Sequence, residues 1–109
     1  MHEIADIACN FTSDRFNNDI DEVINRAINN KVVKFALICS RLSDIDKLLK
    51  IYHQYSKNMF FTIGVHPHHA NEINDDYLKK LRELVISHNP HAIGETGLDF
   101  FRNLSTYEE

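Results

Sequence analysis

The sequence predicts an α/β fold built on parallel strands, either a sheet or a barrel, and three observations carry that prediction. Short apolar runs alternate with longer segments whose apolar residues recur at helical spacing, in the order βαβαβαβ. The short runs are apolar on both faces, as parallel strands covered by helices are. Polar residues, glycine or proline punctuate the chain between segments.

Glu3 to Cys9 is short, apolar and bounded by polar residues, which predicts a buried first strand. Asn17 to Asn30 carries Ile20, Val23, Ile24, Ala27 and Ile28 on one stripe and predicts an amphipathic helix. Val32 to Cys39 is β-branched and aromatic and too short for a helix, so it is the second strand. Ser43 to Lys57 is helical again, with Ser43 as N-cap and Ile45, Leu48, Leu49 and Tyr52 as its stripe. Met59 to Val65 is the third strand, with Gly64 near its end and Pro67 beyond it. Asp75 to His88 is the third helix, with a stripe of Leu78, Leu81, Leu84 and Val85. The breaker pair Asn89-Pro90 precedes a short fourth strand, His91 to Glu95. Finally, Ser105-Thr106-Tyr107-Glu108 fits a capping box, which announces a helix at Ser105 and a polypeptide that continues past Glu109.

Composition narrows the function classes. A chain of 109 residues is one domain or part of one, with ordinary hydrophobic and charged fractions of 43% and 26%. No apolar run approaches the ~20 residues needed to span a bilayer, so no membrane partner is expected. Cys9 and Cys39 lie in apolar runs without metal-type spacing and read as buried free thiols of a reducing compartment, the cytoplasm. A net charge of -4 argues against a long basic groove for nucleic acid, though a pocket for one or two phosphates needs none. The glycines build no phosphate loop, and no G-x-S-x-G elbow or zinc-finger spacing occurs.

In parallel α/β folds the reactive side chains collect at the carboxyl ends of strands. Those positions here hold Asn10, Ser13 and Arg15, then Ser40 and Arg41, then His66, His68 and His69, and last Glu95, Asp99 and Arg102. Three of the five arginines fall on this face, while the seven lysines fall on helices or at the opposite strand ends. Arginine's planar fork matches phosphate oxygens, whereas lysine is a hydrated point charge suited to a surface. Glu95, between Gly94 and Gly97, is costly to bury unless it pairs with an arginine such as Arg102 or binds a divalent ion, and the residues leave both readings open. His66 closes the third strand and points to the same pocket, and Pro67 aims it differently from His68 and His69.

Three segments, in the right order, resemble the TatD deoxyribonucleases. They are Asp6-Ile7-Ala8-Cys9-Asn10-Phe11-Thr12-Ser13, Gly64-Val65-His66-Pro67-His68, and Gly94-Glu95-Thr96-Gly97-Leu98-Asp99-Phe100 with Arg102-Asn103, Ser105 and Glu108-Glu109 behind it. The resemblance implies a TIM-like (β/α)8 metal-dependent hydrolase barrel. Residues 1–109 would form its first half, a single incomplete domain of about four βα units. It also implies a 3′-5′ exodeoxyribonuclease that cleaves DNA phosphodiester bonds, single-stranded in preference to duplex, with Mg2+ or Zn2+. By the same resemblance Glu95 is a metal ligand and the catalytic acidic residue, and His66, His68, Asn10 and Arg102 bind substrate. Further ligands and the general base would come from later strands, so the 109 residues alone are expected to be inactive.

One departure stands out. Many relatives carry two metal-binding histidines on the first strand where this chain has Ala8 and Asn10, which weakens the case for a two-metal mechanism. Two alternatives remain: a non-catalytic half-barrel that associates with itself through open strand edges, and a metal hydrolase acting on another small substrate.

Overall fold

A computed structural model describes residues 2–109. Four parallel strands lie in sequence order, β1 (Ile4–Cys9), β2 (Val32–Leu37), β3 (Met59–Ile63) and β4 (Ala92–Ile93). Helices α1 (Ile20–Asn29), α2 (Ile45–Gln54) and α3 (Tyr77–His88) connect them, so the chain forms a half-barrel of the kind that opens a TIM-like barrel. Sequential order with one crossover helix per step is what the alternating pattern requires.

Period-two alternation decides which side of the strands is filled. Phe35 and Leu37 of β2 and Met59, Phe61 and Ile63 of β3 are buried. They pack with Ile24 of α1 and Ile45, Leu48 and Ile51 of α2, and the α1 stripe of Ile20, Val23, Ala27 and Ile28 leans on the same core. Cys9 and Cys39 belong to this core and are free thiols. Acidic Asp21 and Glu22 in the first turn of α1 and Arg26 in its last turn complement the helix dipole. Asn89 ends α3 in the left-handed conformation, φ 48°, and Pro90 follows.

Several expectations are corrected. The first strand is exposed along its length except at Cys9, with Ile7 81% accessible, because it is an edge strand with no neighbour beyond it among the described residues. Burial on both faces fails more widely: Phe60 of β3 and Ile93 of β4 are also exposed, since helices cover one side of the sheet only. Leu78 does not join the buried stripe of α3; Leu81 and Leu84 pack on the core and Leu78 is exposed. Ser43 is not an N-cap but lies inside a 3-10 turn, Leu42–Asp44, that leads into α2. The capping box at Ser105 does not form, and the residues after β4 run in turns and bends. There the Ser105 hydroxyl accepts the Asn71 N–H at 3.1 Å, and Glu109 accepts the Thr106 N–H. A local motif lost to a tertiary partner explains that difference.

The fourth strand is also shorter than His91 to Glu95, and the reason positions the site. After Ile93 the chain swings across the end of β3 toward β2. Gly94 N–H donates to Ile63 O at 3.0 Å, and Glu95 N–H donates to Cys39 O at 3.2 Å. Thr62 fixes the crossing, its hydroxyl donating to Gly94 O at 2.8 Å and accepting the Cys39 N–H at 3.2 Å. Beneath it sits Gly64, where a Cβ would lie 2.5 Å from both Glu95 O and Gly94 C. Only glycine permits so close an approach.

Candidate functional site

The crossing delivers Glu95 to an open cleft at the carboxyl ends of the strands. The cleft is about 310 Å³ and is lined by Asn10, Ile38, Ser40, His66, His68, His69 and Glu95. Each polar member follows the end of a strand: Asn10 follows β1, Ser40 follows β2, the histidines follow β3 and Glu95 follows β4. The His66 N–H donates to Ser40 O at 2.9 Å, so backbone bonding continues past the last ladder residues and holds the histidine loop against the end of β2.

Glu95 is half-buried. Its Oε1 lies 3.9 Å from His66 Nε2, and its carboxylate makes no ion pair with arginine or lysine among the described residues. His66 opens a 3-10 turn, Pro67–Glu72, and its Nδ1 accepts the His68 N–H at 3.0 Å. That bond assigns the proton of the neutral ring to Nε2, on the side facing Glu95. His66 is therefore set up as a donor, suited to an anionic oxygen rather than to a cation. The His68 ring packs edge-on against it, with centroids 4.3 Å apart.

His68 Nε2 in turn lies 3.0 Å from Asp99 Oδ2. The alignment falls short of a hydrogen bond, and Oδ2 is buried with no donor directed at it among the described residues. The other oxygen, Oδ1, accepts the N–H groups of Phe101 at 3.0 Å and Arg102 at 3.2 Å. The Phe101 and Arg102 N–H bonds, with the charges of His68 and Arg102, hold this carboxyl below its ordinary value. His69 is held below the usual imidazole value by desolvation and by the Arg41 charge, which Glu72 opposes. Burial pushes the Cys9 thiol up to about 12 and the Cys39 thiol upward as well, so neither is an available thiolate nucleophile near neutral pH.

Of the residues singled out in the sequence, Glu95, His66, His68 and Asn10 converge on the cleft. Arg102 is exposed and is not among the lining residues. Arg41 is held by the Glu72 carboxylate through its Nε and Nη2 groups, a pairing the sequence does not announce. The Asp99–His68 contact also escaped the sequence reading, because only the turn after Glu95 brings the two together. A cation needs more than Glu95: among the described residues, no group of three histidine, cysteine, aspartate or glutamate side chains is placed to hold one. The described residues alone therefore do not complete a cation site.

Residues 5–109 match the family described as TatD related DNase. Proteins named 3'-5' ssDNA/RNA exonuclease TatD are similar over most of the chain. The protein from Pantoea ananatis is 36% identical over 104 residues, covering 95% of this chain and 40% of the relative. The one from Erwinia tasmaniensis is 38% identical with the same coverage. That from Cronobacter turicensis is 39% identical, covering 95% of this chain and 39% of the relative. The chain thus spans about 40% of the length of these relatives.

Proposed function

We propose a function from a plain premise: the chain belongs to the TatD related DNase family, and its cleft is the nucleic-acid end of a phosphodiester-cleaving site. The carrying observation is the convergence of Glu95, His66, His68 and Asn10 at four parallel strand ends, with Glu95 free of any guanidinium. A carboxylate so placed suits one ligand position on a divalent cation, Mg2+ or Zn2+. The His66 Nε2–H, the Asn10 amide and the Arg102 guanidinium are suited to oxygens of a phosphodiester.

The substrate in this reading is single-stranded DNA or RNA, following the names of the relatives. The reaction is 3′-5′ exonucleolytic hydrolysis by a whole protein of this family. Residues 1–109 act as one incomplete barrel domain whose partial ligand set leaves it inactive alone. Two buried free thiols favour a reducing compartment such as the cytoplasm. None of the helices among the described residues is long and apolar enough to cross a membrane. The unpaired edges of β1 and β4 favour self-association.

Paramagnetic Mn2+, titrated into the 109-residue chain and followed by NMR, tests the reading. Broadening should centre on Glu95, His66 and Asn10 and disappear in Glu95→Ala, while hydrolysis of a 3′-labelled single-stranded oligonucleotide stays at background. Broadening that ignores the alanine substitution would sink the ligand assignment. Hydrolysis lost on that substitution would overturn the claim of inactivity.

A further inference from the structure

We propose that Asp99 is a positioning residue that holds His68 in its Nε2–H form and leaves Nδ1 of that ring as a hydrogen-bond acceptor at the cleft. The two oxygens of Asp99 have separate work. Oδ1 takes the Phe101 and Arg102 N–H groups and closes the turn. Oδ2 is buried and has one polar neighbour of note, His68 Nε2 at 3.0 Å. An ionised carboxylate oxygen can only accept. The N–H is not aligned for a hydrogen bond, yet at 3.0 Å a partly positive Nε2–H is favoured beside the carboxylate over an electron-rich bare nitrogen. The ring proton therefore belongs on Nε2, and in the neutral imidazole the other nitrogen keeps its lone pair.

The consequence is a pair of histidines with opposite polarity. His66 has its Nδ1 occupied by the His68 N–H and presents an Nε2–H donor. His68 has its Nε2 beside the Asp99 carboxylate, 3.0 Å from Oδ2, and in the proposed tautomer its Nδ1 is the acceptor. Both line the cleft that holds Glu95. A donor and an acceptor side by side match a phosphate end that offers an anionic oxygen to one ring and a water or hydroxyl hydrogen to the other. The ligand class rests on the phosphodiester reading above; the tautomer does not.

Long-range 15N–1H correlation spectra of the full chain, recorded above the titration range of imidazole, read the tautomer directly. In the parent chain His68 should carry its proton on Nε2. Asp99→Asn keeps an Oδ1 for the Phe101 and Arg102 amides but turns an NH2 donor toward the ring, so His68 should change to the Nδ1–H form. A His68 that is Nδ1–H in the parent, or one whose tautomer is the same in a folded variant, overturns the proposal. Should Asp99→Asn fail to fold, the parent spectrum decides alone. Neither metal nor nucleic acid enters this measurement, so its failure is distinct from a failed Mn2+ titration at Glu95.

Discussion

An alanine methyl at Gly64 would sit 2.5 Å from Gly94 C and from Glu95 O, both of them backbone atoms that cannot rotate away. Relief would require the segment carrying Glu95 to lift off the end of β3, breaking the Gly94 to Ile63 and Glu95 to Cys39 hydrogen bonds. Gly64→Ala should therefore destabilise the chain by roughly 1–3 kcal/mol or more, the range of an overpacked core site. Glu95 should also be displaced from the cleft. Denaturant unfolding measures the first effect, and the chemical shifts of Glu95 and His66 measure the second. An unchanged midpoint together with unchanged shifts would show that the crossing is looser than the geometry implies. The same position shows what could be read in advance. A glycine at a strand end and a glutamate between two glycines were visible in the sequence, but that one exists to let the other pass was not, because they meet across 30 residues of chain.

Among elements, the crossing depends on Thr62, which ties the end of β2 and the segment after β4 to β3. Thr62→Val keeps the shape, removes the hydroxyl, and leaves the Cys39 N–H and Gly94 O without that partner. The expected cost is about 1–3 kcal/mol, the penalty for part-buried groups left unsatisfied. Amide exchange at Cys39 and Glu95 should accelerate before exchange in α1 does. Exchange that speeds up uniformly, or stays unchanged, would contradict this role. Elements with a strong period were legible: the stripes of α1 and α2 pack as their spacing implied. The differences share a cause, since local pattern speaks for Leu78, Ser43 and Ser105 and tertiary surroundings redirect all three. Leu78 faces solvent on a helix that packs through Leu81 and Leu84. Ser43 was overtaken by a 3-10 turn and Ser105 was claimed by Asn71. Strand ends, by contrast, bring His66 and Glu95 to one cleft, because parallel topology alone puts successive carboxyl ends on one side. That rule does not extend past β4, where the chain leaves the ladder, and Arg102 therefore falls outside the cleft lining.

For the whole molecule, the accessible surface is 7703 Å². A closed monomer of 12.7 kDa would expose about 6,200 Å². The radius of gyration tells the same story, at 15.0 Å against about 13 Å for a compact domain of this length. The excess of roughly 1,500 Å² is about twice the ~800 Å² that one partner contributes to a standard protein–protein interface. Part of it is apolar and lies on the two edge strands, where Ile7 of β1 and Ile93 of β4 are exposed and the outer backbone groups lack strand partners among the described residues. An unpaired edge beside exposed apolar side chains is a template for another copy of the same edge. The chain should accordingly associate as its concentration rises, with a sedimentation coefficient that grows between micromolar and submillimolar protein. Ile7→Lys should shift that equilibrium toward monomer at least tenfold in concentration, since a charge on an edge strand is expensive to desolvate against a neighbour. The charge balance does not forbid association, because a net charge of -4 is modest and its repulsion is screened over ~8 Å at physiological salt. A single monomeric species across the whole range would mean that the open face is tolerated in water, and the excess area would then carry no information about partners. If the chain associates but Ile7→Lys leaves the equilibrium unmoved, contact runs through the other edge or the tail, where Phe101 and Tyr107 are the most exposed aromatic side chains.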